Sequence, residues 1–414
     1  MSESTVRGFK LWRITPYSDV IHAGDIAVKT TASGGISLLN FRYTPSYLER
    51  SDSISLDPET VPLSVESFTF NLPGSGLPGF ISDCLPDNWG SKLIAKSLKK
   101  RYASTIDIMS SMDKLIAIGG LIITNKDSPP PIPSGGISLE MVESILKGED
   151  VDFSDFELIA KHLPLFVTGG GSPGGARPKL LINDGGVEWL YKFGLKNDPI
   201  DIAAAEWAAL EIAHQAGLDV AEHEITTLAG QKCLRVKRFD VSPEGGRYYT
   251  LTLNSLLKDK ETQEDPHRGS YEDIARCLKY HSAKPADDCY QLLGQLLINS
   301  ELNNVDDHLR NFSMLHDGRG WRLSPAYDIV PDPSTGSYHQ LTLAQSEILP
   351  KLKQAEKAAK ALGVNEADAK ILAGKIRVAL ENWNDLLIEA GASERDIKLL
   401  GRGANHEAVF RPPC

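Results

Sequence analysis

Asp306, Asn311 and Asp328 carry the chemistry this sequence offers most plainly: a D-x-x-x-x-N segment, then a second aspartate seventeen positions on. Phosphoryl transfer needs a carboxylate to orient and deprotonate a hydroxyl, an amide oxygen to hold one magnesium ion, and another carboxylate to bridge metal to phosphate. The three residues supply those groups in that order, at the internal spacing of the catalytic loop of ordinary protein kinases. Taken alone, the segment also reads as a solvated turn, because Asp and Asn are common in loops. Its company argues for a site: it follows a buried helical stretch, also holds Asn304 and His308, and lies a short hairpin's length from Ser324-PAYD-Asp328. Asp307 adds a second carboxylate beside Asp306, and the choice between them rests on spacing.

A triphosphate needs a cradle and a cation. Thr168-GGGSPGGARPK-Leu180 has five glycines within residues 168–175, so backbone amides there could approach an anion unobstructed. The same run also reads as a merely flexible loop, and it matches neither standard phosphate-loop pattern. Lys192 lies in Val187-EWLYKF-Gly194, where strand alternation places Leu190 and Lys192 on one face, Trp189 and Tyr191 on the other. An inward lysine demands a counter-charge, and Glu206 on the following helix is the natural partner. An exposed edge lysine is the alternative.

The elements that must position these groups follow from patterning. Short alternating apolar segments from Phe9 to Phe80 read as antiparallel strands, and a helix begins near Pro86-Asp87-Asn88. Asp127-SPPPIPSGG-Ile137 reads as an exposed connection. Strands recur at 179–183, 187–194 and 232–240, interrupted by one helix with Asp201 as N-cap, an Ile202, Ala205, Ala209, Ile212, Ala213 stripe, and Gly217 as its stop. Beyond Ser270, which forms a capping-box pair with Asp273, the chain reads as mainly helical: 291–300 is apolar almost all round, and Asn365 and Ser393 cap two later helices. The expectation is an α+β, bilobal protein-kinase-like fold: a strand-rich region 1–130, a linker and mixed nucleotide-binding lobe 131–241, and an all-helical lobe 242–414. Such lobes leave a cleft between them, where ligands bind.

Composition narrows the partners. The 414 residues, 41% hydrophobic with net charge -11, provide ample core material. They exclude a uniformly basic surface of the kind that grips nucleic acid. Five scattered cysteines form no CxxC pair, which points to reduced thiols rather than zinc or redox chemistry. The N-terminal residues lack a secretory pattern, and the longest apolar run, Leu115 to Ile123, is too short to cross a bilayer. The expected location is the cytoplasm, with no membrane partner.

Taken together, these pieces resemble the HipA family of serine/threonine kinases. Phe41-RYTPSYL-Glu49 and Asp83-CLPDNWG-Ser91 look like its N-terminal signature; SPGGARPK from Ser172, the RFD at 238–240, DDHLRN ending at Asn311 and SPAYD ending at Asp328 look like its kinase signature. The resemblance implies ATP and Mg2+ as cofactors, Asp306 as catalytic base, Asn311 and Asp328 as metal ligands, and Lys192 on the nucleotide phosphates. It places nucleotide contacts at Gly170, Gly171, Gly174 and Gly175, at Glu206 and His308, and at an adenine hinge over Val236, Lys237 and Phe239. It also implies autophosphorylation of Ser172, whose added charge would repel the ATP phosphates and shut the site. Arg310 stands where a typical member has lysine. The family's best-known activity, as the toxin of a toxin-antitoxin pair, is phosphorylation of glutamyl-tRNA synthetase, which produces dormant, drug-tolerant cells. A small HipB-like helix-turn-helix antitoxin is the implied partner, with DNA contacted only through that complex, as suits an acidic chain. Two other functions stay open: a catalytically silent antitoxin-binding co-repressor, suggested by the long N-terminal region, and a small-molecule kinase built on the same core.

Overall fold

Period-two patterning near the N-terminus folds as an antiparallel sheet of β1 (Val6–Ile14), β2 (Val20–Thr30), β3 (Ile36–Tyr43), β4 (Phe68–Asn71) and β5 (Leu121–Thr124), in the order β4-β3-β2-β1-β5. The computed structural model describes residues 6–31, 35–74, 76–86, 88–112, 119–132, 136–146, 177–334 and 338–403. The helix expected after Pro86 runs over Asn88–Ser97. The sheet's inward residues, among them Ile26, Leu39 and Phe41, join one continuous core with Leu251, Leu296 and Ile376 far along the chain. The N-terminal strands are therefore packed largely into the rest of the molecule, with a small cluster of their own at Trp12, Ile14 and Ile122.

A second sheet orders β6 (Ile137–Ser138), β7 (Lys179–Asp184), β8 (Val187–Phe193), β9 (His223–Leu228) and β10 (Gln231–Lys237) as β6-β7-β8-β10-β9. Gly185 and Gly186 join β7 to β8 with φ of 59° and 88°, the double left-handed turn that matches strand twist and that side chains resist. Pairing registers set Lys179 opposite Lys192, Leu181 opposite Leu190, and Leu190 opposite Val236. One face of the sheet thus carries two lysines at one end and three apolar side chains at the other. Trp189, Tyr191 and Phe193 point the opposite way, into a smaller core with Ile137, Val142 and Leu180, as strand alternation requires.

Helix Ile202–Gln215 starts where Asp201 accepts the Ala204 amide at 3.1 Å and is followed by Gly217 at φ 85°. Ala205, Ala209, Ile212 and Ala213 are buried, whereas Ile202 is only partly so. Ser270 accepts the Asp273 amide to cap Tyr271–His281. Pro285–Glu301 is the expected core helix; Leu292, Leu293, Leu296 and Leu297 are fully enclosed, each contributing about 1.5–3 kcal/mol of transfer free energy. Asn365 and Ser393 accept amides at their caps as anticipated.

The C-terminal part is not all helical. β11 (Tyr249–Thr252), β12 (Ser313–His316) and β13 (Trp321–Leu323) form a three-stranded antiparallel sheet. These strands have four, four and three residues, too short to show alternation, and β11 pairs with residues more than sixty positions later. β9 likewise carried no alternating signal of its own. No described helix is long and apolar enough to cross a membrane. Cys84, Cys233, Cys277 and Cys289 are buried free thiols, and burial pushes Cys233 and Cys277 up to about 12, which keeps them unreactive. Cys414 lies outside the described residues.

Candidate functional site

Lys192 is the point on which the cleft converges. Its Nζ donates to Glu206 Oε1 at 2.6 Å and to Asp328 Oδ1 at 2.7 Å. β8 aims the lysine off the sheet, the 202–215 helix brings Glu206 beneath it, and the chain leaving β13 brings Asp328. Burial works to lower the lysine pKa, but the charges of Asp328 and Glu206 outweigh it and raise it. Burial likewise opposes the Asp328 charge, yet Lys192, with Lys179 and His308 nearby, holds that carboxyl at about 2. Asp328 is therefore an anion at any physiological pH. Its φ of 59° is uncommon for a residue with a Cβ and re-aims the carboxylate at the end of the hairpin.

The segment Asn303–Phe312 enters β12, and Asp328 follows β13, so one short hairpin carries both halves of the acidic constellation. Asn311 Nδ2 donates to the Asp306 carbonyl at 2.9 Å; its amide nitrogen is spent bracing the loop and its oxygen is the group left for a ligand. Asp306 opens to the cleft. Desolvation by surrounding protein raises its pKa, His308 and Arg177 oppose this, and the neighbouring Asp328 and Asp307 add to it. A carboxyl poised above its ordinary value suits proton acceptance near neutral pH.

Asp307 has a different task. Fully enclosed, it accepts the Tyr271 hydroxyl at 2.8 Å and the Gln340 amide at 3.0 Å, with His339 Nδ1 at 3.3 Å. These bonds tie the loop to the 271–281 helix and to the segment around 339–341. Of the two adjacent acids, only Asp306 lines the cleft.

Two hollows adjoin along the sheet face and share Lys179, Lys192 and Asp328. The first, ≈ 860 Å³ including its open mouth, lies under Leu181, Leu190 and Val236 and is floored by Thr250, Thr252 and Ser313. Phe239 and Tyr327 close it, ring centroids 5.6 Å apart. The second, ≈ 1250 Å³, gathers Glu206, Asp306, His308, Asn311 and Asp328. A flat apolar slot thus opens onto a polar, charged chamber, the division a nucleotide needs for its base and its phosphates. The amides of Lys237 and Arg238 are already committed to the Glu222 and Glu188 carbonyls.

The RFD residues brace this cleft from behind. Arg238 donates to Glu188 at 2.7 Å and, through Nε and Nη2, to Asp240 at 2.8 and 2.5 Å. Arg247 donates to the other Glu188 oxygen at 2.6 Å, and Asp240 accepts the Gly119 amide at 2.9 Å. All four charged side chains are buried.

Of the residues singled out from sequence, Lys192, Glu206, Val236, Lys237, Phe239, Asp306, His308, Asn311 and Asp328 all line these hollows. Gly170, Gly171, Ser172, Gly174 and Gly175 lie outside the described residues. Lys179 and Asp83, which end and begin quoted motifs, and Gln340 were given no place in the site. Lys179 was legible in principle, since pairing across a Gly-Gly hairpin places it beside Lys192. Asp83 and Gln340 reach the site through tertiary contacts that local pattern does not encode.

No group of three or more His, Cys, Asp or Glu side chains gathers as a metal site among the described residues. Magnesium asks for less: one or two carboxylates with phosphate and water oxygens. The hard oxygens of Asp328 and Asn311 fit that requirement.

The HipA-like C-terminal domain pattern matches residues 171–383, and the HipA N-terminal domain pattern matches 19–122. The chain belongs to the HipA family. HipA of Shewanella oneidensis MR-1, solved with HipB and operator DNA, has a similar fold: TM-score 0.64, 17% identity, 96% of each chain covered. Curated relatives are provisionally named kinases: Y4mE of Sinorhizobium fredii is 27% identical over 44% of this HipA-family chain, and a Haemophilus influenzae protein is 27% identical over 45%. The matched segments span 39% and 59% of those two relatives.

Proposed function

We propose that this HipA-family chain is a bilobal serine/threonine protein kinase that moves the γ-phosphoryl of ATP to a protein serine. The observation that carries this reading is the double ion pair of Lys192 with Glu206 and Asp328, set where the apolar slot meets the acidic chamber. The base of ATP would lie in the slot beneath Val236 and beside Phe239, with its phosphates toward Lys192 and Lys179. Asn311 and Asp328 would hold Mg2+, which when bound neutralises charge developing on the phosphoryl oxygens. Asp306 would orient the serine hydroxyl and accept its proton as Oγ bonds to the γ-phosphorus and the bond to the ADP oxygen breaks. Glu206 keeps Lys192 extended, and His308 lies in the same chamber.

Ser172 is the proposed autophosphorylation site, and Gly170, Gly171, Gly174 and Gly175 are proposed to cradle the phosphates. The proposed setting is the cytoplasmic toxin of a toxin-antitoxin pair, with a HipB-like antitoxin as partner. Glutamyl-tRNA synthetase, the family's best-known target, is the first substrate to try. The proposed division is 1–130, 131–241 and 242–414, with β11 to β13 inside the last part.

The test is incubation of the dephosphorylated chain with magnesium-ATP, followed by mass spectrometry of the peptide containing Ser172. Phosphate should appear on wild type and be absent from Asp306→Ala. Should neither protein become modified, on itself or on an added protein substrate, the kinase reading fails.

A further inference from the structure

Kinase chemistry assigns no task to the N-terminal region, yet one of its side chains forms part of the cleft. Asp83, from the DCLPDNWG motif that lies between β4 and β5, lines the apolar slot together with Thr250, Thr252 and Tyr327. It arrives there because the turn Gly79–Ser82 packs directly on the short helix Leu253–Leu256: a Cβ added to Gly79 would meet the Ser255 carbonyl at 2.6 Å. Only a residue without a side chain permits that approach.

The contacts of Asp83 are specific. Oδ2 accepts the Thr252 amide at 2.7 Å, and Oδ1 accepts the Thr252 and Ser255 hydroxyls at 3.0 and 2.7 Å. Thr252 is also the N-cap of the 253–256 helix, so a structural role as a clasp between the two regions is already evident. Three donors do not exhaust a carboxylate, which has about four acceptor positions. Burial pushes the Asp83 carboxyl up despite those bonds and the charge of Lys258. A further donor would relieve that penalty, and in a desolvated slot a hydrogen bond to a charged acceptor is among the stronger ones.

We propose that Asp83 is a nucleotide-specificity residue: the N-terminal region completes the slot and accepts a hydrogen bond from a donor on the bound nucleoside, either the adenine amino group or a ribose hydroxyl. This rests on the nucleotide reading given above and adds to it that the N-terminal region is part of the binding site. It also explains how the two regions would be coupled, since a ligand seated on Asp83 draws on the same carboxylate that clasps them together.

The experiment is titration calorimetry on the full chain, comparing wild type with Asp83→Asn. Three probes are used: ATP, 2′-deoxyATP, and the purine riboside triphosphate that lacks the amino group. Ser255→Ala, which removes one intramolecular donor and leaves the carboxylate, serves as the control for clasp damage. Asp83→Asn should weaken ATP by roughly tenfold or more, and should leave unchanged the affinity of whichever analogue lacks the donor; that analogue identifies the group recognised. Ser255→Ala should lower the melting temperature without altering the order of the three affinities. Equal loss on all three nucleotides, matched by Ser255→Ala, makes Asp83 a clasp only and overturns the inference. Unchanged binding of all three by Asp83→Asn overturns it as well. Those results leave the nucleotide reading standing, whereas a wild-type chain that binds none of the probes removes that reading and this inference with it.

Discussion

Gln340 Nε2 donates to Asp306 Oδ1 at 2.5 Å, while the Gln340 backbone amide donates to Asp307 at 3.0 Å and to the Val305 carbonyl at 3.1 Å. One residue from a separate segment therefore braces both acids of the proposed catalytic loop. A hydrogen bond to the charged form favours ionisation, so Gln340 works against the desolvation that raises Asp306. The base acts deprotonated, and its activity is present above its pKa and lost as pH falls through it. Gln340→Leu should move the acidic limb of the pH–rate profile upward by about one unit, from ~1.5 kcal/mol for a bond to a charged group. Gln340→Glu should not restore the wild-type profile, because it places a like charge against the base. An unmoved acidic limb in Gln340→Leu would count against Asp306 as the titrating group.

The neighbouring acids should separate cleanly under mutation. Asp306→Asn removes a group open to the cleft with one side-chain partner, so phosphoryl transfer should fall by ~1000-fold or more, with melting temperature within a degree or two of wild type. Asp307→Asn removes acceptor capacity from Tyr271 and Gln340, and the charge beside His339, in a fully enclosed place. That should cost about 2–3 kcal/mol of stability, read by urea denaturation. If the stability loss fell on Asp306 instead, the two roles would be exchanged.

What the sequence revealed and what it hid have a common physical cause. Elements whose patterns are local were legible: the 202–215 helix with its Asp201 cap, the Ser270 cap, the apolar 285–301 helix, and the β7 and β8 strands with Lys192 facing inward. Features made by distant pairing were not. β11 joins β12 across more than sixty residues, and nothing in Tyr249–Thr252 alone announces it. The same holds within the site. Spacing named Asp306, Asn311 and Asp328, because their intervals can be read along the chain. Spacing alone chose Asp306 over Asp307; that Asp307 is the enclosed one depends on where Tyr271 and His339 lie. Lys192 was expected to pair with Glu206; that it also holds Asp328 follows from how the β12–β13 hairpin docks on the sheet.

Arg238 tests whether the RFD motif supports the fold or the chemistry. Its guanidinium bridges Glu188 on β8 and Asp240 beyond β10, both nearly inaccessible to water. Asp240 in turn accepts the Gly119 amide, next to β5. Replacing Arg238 with methionine fills similar volume but strands the buried Asp240 and leaves Glu188 with Arg247 alone. The expected loss is about 3–5 kcal/mol, with the N-terminal sheet and the β7–β10 sheet loosening together in hydrogen exchange. Asp240→Asn in the Arg238→Met background should recover part of that loss, since the Glu188–Arg247 pair then stands alone and no uncompensated charge remains. A variant with only Arg238 changed that melts like wild type would show that the cluster contributes nothing net.

His316 supplies a stability switch that is independent of the chemistry. It ends β12, its ring meets Trp321 edge-on at 5.2 Å, and its Nδ1 accepts the Gly318 amide at 3.1 Å. Accepting through Nδ1 requires the neutral ring. Burial first, then the charge of Arg13, depress its pKa to about 4, against smaller opposing effects from Asp317. An unfolded chain would protonate the same ring near 6.5. The unfolded state therefore binds more protons between these values, and stability falls as pH drops from about 6.5 toward 4. The share due to this partly exposed ring is on the order of 2 kcal/mol after solvent screening. His316→Gln retains an acceptor for Gly318 but cannot titrate. Denaturation midpoints measured from pH 7 to pH 4 should decline less steeply in that variant, and parallel curves would assign the acid sensitivity to other groups.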